Sequence, residues 1–250
     1  MFRSELPRVY ELRDLIDNPS APGAYFQDFD NSLRDDDISK KQTWLARERE
    51  LQRLDSNSWQ LLKCESLPYL IARDAKGRGW EQLISILNQA RAHNYLVDQG
   101  CSQVCFIPST QIKGQETPDL KGELNGRKVL CEVKTVNISD VEAAQRRTGS
   151  GGSTTDLLDE GFFKKLGSDL RKAKSQMEAY DDSDSVKRIA FMVVNFDDFL
   201  GEYKAKYFAQ IDRHLATELV PGIDVIFYNQ RTAFHQHVSM VHANVVNEPG

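Results

Sequence analysis

Two runs of strand character, Thr117 to Leu124 and Arg127 to Val136, are separated by Asn125-Gly126 and nothing else. Both central residues of a type I′ turn need positive φ, which Asn and Gly tolerate best, so the dipeptide predicts a tight β-hairpin. A two-residue turn also fixes the register. Leu124 faces Arg127, and counting back sets Asp119 directly opposite Glu132. Side chains alternate along a strand, so Leu120, Gly122 and Leu124 share one face with Val129, Cys131 and Val133. That face is expected to meet the core, leaving Asp119, Glu132 and Lys134 on the polar one.

The hairpin sits in a longer alternation of elements. A helix is predicted from near Gly79, where Trp80, Leu83, Ile84, Leu87, Ala90, Asn94 and Val97 keep a helical period and Gly100 supplies the stop. A short strand over Gln103 to Ile107 ends at Pro108. After the hairpin, Ser139 is placed to cap a short helix, and Thr148 to Thr155 forms a Gly/Ser-rich loop. A long helix from Gly161 to Tyr180 carries an apolar stripe of Leu166, Leu170, Ala173, Met177 and Tyr180 beside a basic flank. Strands at 188–195 and 223–228 then bracket a helix at 203–219. This order predicts an α/β fold, a central mixed β-sheet flanked by helices. Ahead of it, residues 1–76 read as a helical N-terminal extension with apolar clusters around Trp44 and Trp59; the main domain is expected over residues 77–250.

Two carboxylates directly opposed across a sheet repel unless something neutralises them, and a divalent cation is the simplest neutraliser. Lys134 lies on the same face two residues beyond Glu132, so the patch offers two acids and a base, enough to hold a hard cation and an activated water. The bland reading of the same residues is a solvated hairpin face with a cross-strand ion pair, worth about 0–1 kcal/mol.

Pro118-Asp119, twelve intervening residues and then Glu132-Val133-Lys134 resemble the signature of the PD-(D/E)XK nuclease superfamily, the restriction-endonuclease-like phosphodiesterases. The order of elements over roughly residues 79–228 resembles that family's core as well. The resemblance implies a restriction-endonuclease-like sheet. It implies Mg²⁺, with Mn²⁺ able to substitute, held by Asp119, Glu132 and the backbone carbonyl of Val133, and a water positioned by Lys134. It also implies an acid from the first helix, for which Glu81 is the candidate, and a Gln on the helix after the third strand, for which Gln145 is the candidate. The expected activity is metal-dependent hydrolysis of phosphodiester bonds, as a DNA endonuclease, with Arg146, Arg147, Lys165, Arg171 and Lys172 tracking phosphates.

Composition neither supports nor excludes a nucleic-acid partner. The 250 residues carry 32 Lys+Arg against 37 Asp+Glu, and only residues 121–180 are net positive. Two other readings therefore stand beside the nuclease: an idle nuclease-fold subunit that binds nucleic acid or a partner, and a metal-dependent phosphohydrolase of small molecules. The chain shows neither an apolar run long enough to span a bilayer nor the apolar core of a signal peptide, so a cytoplasmic protein with no membrane partner is expected. Its four cysteines are then expected to be reduced core residues. His235, His237 and His242 lack a third ligand at zinc spacing. A homodimer and a place in a larger complex are both open.

Overall fold

The computed structural model describes residues 2–27, 29–34, 38–71, 80–110, 116–136, 156–194, 203–218, 220–229 and 232–237. They form two compact units, Met1–Phe106 and Ile107–Gly250.

The first unit holds helices α1 (Pro7–Arg13), α2 (Phe29–Arg34), α3 (Ile38–Gln52), α4 (Ser56–Leu70) and α5 (Glu81–Asp98), then strand β1 (Ser102–Phe106). Its helices start and stop on local chemistry. Pro stands in the first turn of α1, where its missing N–H costs nothing, and the Asp55 carboxylate accepts the Asn57 and Ser58 amides at the start of α4. Gly100, at φ +84°, lets the Cys101 amide turn back to the Leu96 carbonyl and end α5. Tyr25, Phe26, Phe29, Trp44 and Trp80 meet edge-on or stacked in an aromatic cluster.

The unit boundary lies thirty residues beyond the 76/77 step expected from sequence, because α5 is tied to α3. Arg47 donates to the Leu87 carbonyl, Arg91 bonds Glu50, and the Asn94 amide donates to the Glu50 carbonyl. These bonds, together with buried Leu83, Leu87, Ala90 and Leu96, place α5 among the N-terminal helices.

The second unit holds β2 (Leu120–Leu124), β3 (Arg127–Val136), α6 (Glu160–Tyr180), β4 (Lys187–Val194), α7 (Lys204–Thr217), β5 (Asp224–Asn229) and β6 (Thr232–His237). The strands form a mixed sheet in sequence order. β2 and β3 are antiparallel, β3, β4 and β5 run parallel, and β6 returns antiparallel to β5. Asn125 and Gly126 take φ of 52° and 76°, and Leu124 pairs with Arg127 through to Leu120 with Cys131, the register expected from a two-residue turn. Two parallel connections need crossovers, and α6 and α7 supply them.

α6 and α7 cover one face of this sheet. Leu166, Leu170, Ala173 and Met177 of α6 and Ile211 and Leu215 of α7 pack on Leu130, Val136, Ala190, Met192, Val225 and Phe227. This arrangement corrects the expected polarity of β3. Leu130 and Glu132, on the face expected to be polar, are buried, and so are Val129 and Cys131 on the other; a parallel-type strand is closed on both sides. The cysteines need a similar correction. All four are free, but Cys64 is exposed and Cys105 half-buried; only Cys101 and Cys131 are core residues. Among the described residues no helix is long and apolar enough to cross a membrane.

Candidate functional site

β3 presents Glu132 and Lys134 on the face that α6 covers, because residues two apart share a side of a strand. Glu132 is 3% exposed. The Lys134 ammonium donates to Glu132 Oε1 at 2.5 Å and to the amide oxygen of Gln176 on α6 at 3.0 Å. Asp119 immediately precedes β2, and its Oδ2 accepts the Val133 amide at 2.7 Å. Asp119, Glu132, Val133, Lys134 and Gln176 are thus brought together, with the Asp119 carboxylate bonded to the backbone of the residue between Glu132 and Lys134.

Glu132 Oε2 lacks a hydrogen-bond partner of good geometry. Burial pushes the Glu132 carboxyl above its ordinary value, and Lys134, the Asp119 amide and Gln176 pull in the other direction. A buried acid with one satisfied oxygen and one orphan is costly to keep ionised, and a hard cation is the group that lowers that cost.

The donor set fits Mg²⁺. That ion keeps several waters and needs only one or two carboxylates beside substrate phosphate oxygens, which Asp119 and Glu132 supply. Among the described residues no group of three or more His, Cys, Asp or Glu gathers as an all-protein metal cage.

Glu81 is the first residue of α5, in the first unit, and partly buried. Gln145, Arg146 and Arg147 lie outside the described residues, as do the Ser139 cap, the 148–155 loop and the side chains of the three C-terminal histidines. The glutamine that reaches Lys134 is Gln176, 42 residues away in sequence. Its position on the helix after the third strand of the sequence pattern was the only available signal; a polar residue on an amphipathic helix otherwise reads as solvent-facing.

The basic flank of α6 divides around the helix. At about 100° per residue, Lys165, Asp169, Lys172 and Gln176 share one stripe, while Arg171 points about 140° away from Gln176. Both Asp169 oxygens accept from Lys165 at 2.5 Å, and Lys172 pairs with Glu116 at 3.1 Å. Lys164 and Lys174 pair with Glu160 and Glu178. The positive charge of the flank is largely neutralised within the protein.

No family model, curated protein or solved structure matches the chain.

Proposed function

We propose that the protein is a metal-dependent phosphodiesterase, a nuclease acting on DNA, with its centre at Asp119, Glu132 and Lys134. The observation that carries this reading is the buried Glu132 carboxylate with one oxygen on Lys134 and the other without a partner. A purely structural ion pair gives little reason for that arrangement, since hydrocarbon side chains of similar volume are usually at least as stable. The parallel β3–α6–β4 connection behind an antiparallel hairpin is also the element order that the PD-(D/E)XK resemblance implies.

In this reading Asp119, Glu132 and the Val133 carbonyl would hold Mg²⁺, which when bound would supply an activated water and charge neutralisation at the phosphate. Lys134 orients the attacking water toward the phosphorus and donates to the non-bridging oxygen as charge builds there. Gln176 holds the Lys134 ammonium against rotation, and Asp119 is itself held by the Val133 amide. A homodimer is a candidate assembly.

The test is cleavage of supercoiled and linear DNA, single-stranded DNA and RNA with Mg²⁺, Mn²⁺ or EDTA, by the wild type and Lys134→Ala. Metal-dependent cutting abolished by the substitution, with folding intact, supports the reading and ranks the substrates. No cutting of any polymer overturns it and leaves the nuclease-fold binding subunit or the small-molecule hydrolase.

A further inference from the structure

The polar stripe of α6 runs from the candidate centre outward. Gln176 touches Lys134; one turn earlier Lys172 stands on the same side of the helix, and Asp169 and Lys165 continue the line. Lys172 is engaged by Glu116, three residues before Asp119 in the chain, and both side chains are about half exposed, at 55% and 51%. The cation next in line from the centre is therefore held by a carboxylate anchored beside the metal-binding acid.

A carboxylate that pairs a lysine at such a place offers it the same chemistry as a phosphate oxygen: an anionic acceptor at hydrogen-bond distance. We infer that Glu116 occupies the position of a substrate phosphate in the free protein, and that a DNA strand entering the site displaces it from Lys172. This inference rests on the nuclease reading of Asp119, Glu132 and Lys134. It adds a specific partner exchange: the Lys172 ammonium leaves Glu116 and takes a non-bridging phosphate oxygen of the strand being cut.

Three consequences follow from the exchange. Glu116 weakens DNA binding, first by competing for Lys172 and then, once displaced, by repelling the backbone. Its removal has its full effect only while Lys172 is present. Moreover, Lys172 contributes fewer released counterions in the wild type than a free surface lysine would, because its charge is already compensated. Lys165 is less open to the same exchange, since its partner Asp169 lies on the same helix and is 8% exposed.

The experiment is equilibrium binding of fluorescent duplex and single-stranded DNA in EDTA, where cutting is suppressed, across a salt series. It compares the wild type, Glu116→Gln, Lys172→Gln and the double variant, with Mg²⁺-dependent cleavage measured in parallel. Glu116→Gln should tighten binding about two- to fivefold, the weight of one exposed ion pair. It should also steepen the log K against log salt slope by about one. Lys172→Gln should weaken binding, and in its background Glu116→Gln should gain no more than the loss of one remote negative charge. An unchanged affinity in Glu116→Gln, or a gain that persists in full without Lys172, overturns the exchange while Lys134-dependent cleavage leaves the nuclease reading intact. Absence of both DNA binding and cleavage in every variant overturns the nuclease reading and this inference with it.

Discussion

The amide oxygen of Gln176 lies 3.0 Å from the Lys134 ammonium, which also donates to Glu132 at 2.5 Å. Two of the three ammonium donors are thereby committed to fixed acceptors, one on the strand and one on the helix above it.

Removing the helix-borne acceptor should loosen Lys134 without unfolding the unit. On the proposed nuclease reading, Gln176→Ala is expected to lower the cleavage rate by about tenfold to a hundredfold, in line with the cost of misplacing a catalytic group by about 1 Å. The effect should fall on kcat more than on KM, and Gln176→Glu, which keeps an acceptor, should recover part of it. Steady-state kinetics on the preferred polymer would decide, and an unchanged kcat in the alanine variant would remove Gln176 from the positioning role.

The Glu132–Lys134 pair makes opposite predictions for single and paired replacement. Lys134→Met leaves a buried carboxylate without its counter-charge, which typically costs about 3–5 kcal/mol. Because burial already raises the Glu132 carboxyl, acidification neutralises it, so the loss should be greater at pH 8 than at pH 5. Glu132→Leu combined with Lys134→Met should be neutral or more stable than the wild type, by up to about 4 kcal/mol, and inactive. Urea unfolding of the three proteins at both pH values measures this, and strong destabilisation of the double variant would mark the pair as structural.

Glu48 and Arg8 cap each other's helices in the first unit. The buried Glu48 carboxylate, on α3, accepts the Arg8 and Val9 amides at the start of α1, while the Arg8 guanidinium donates to the Leu51 and Leu54 carbonyls at the end of α3. Glu48→Ala orphans two backbone donors at once and should cost about 1–3 kcal/mol. The denaturation midpoint of the variant should fall accordingly, with an unchanged dependence on denaturant; a shift below a few tenths of a kcal/mol would show that water replaces the cap.

His93 is buried in α5, with neither ring nitrogen in a good hydrogen bond and Asp55 at 3.8 Å. Burial lowers its pKa, partly opposed by Asn94, Asp55 and the Val104 backbone. A histidine depressed in the folded state is protonated more readily when unfolded, so its penalty is absent above the unfolded value of about 6.5 and grows as pH falls from there toward the folded value. The His93 contribution to stability should therefore fall as pH drops below about 6.5, and the stability of His93→Gln relative to the wild type should rise over the same range. A variant with the wild-type slope in that window would assign the acid sensitivity elsewhere.

The hairpin was legible because its determinants are local. Asn125 and Gly126 adopt the positive φ values their chemistry favours, and the register follows from the turn length with no reference to the rest of the chain. The limits of β3, and of α6 to within one residue, follow from the same kind of evidence, strand alternation in one case and an apolar stripe in the other. The paired ladder ends at Leu120 and Cys131, one step short of the expected Asp119–Glu132 pair. The bond from the Val133 amide to the Asp119 carboxylate was not legible, because it forms where the ladder ends.

Residues whose role depends on what packs above them could not be read this way. Alternation along β3 separates two faces but does not say that α6 will bury the polar one, so Glu132 changes from a solvated acid to a buried one only when the helix docks. Gln176 is one more polar residue on an amphipathic helix until docking brings it to Lys134, and Lys172 one more surface lysine until Glu116 meets it. β6 also escaped, since a short return strand is specified by its pairing with β5 rather than by its own pattern. The sequence by itself determined turn chemistry, helical and strand periods, and which acids and bases share a face, because those depend on neighbours a few residues away. Tertiary structure decided which face is dry, which glutamine holds the lysine and which carboxylate meets each cation, because desolvation and long-range pairing exist only once distant segments touch.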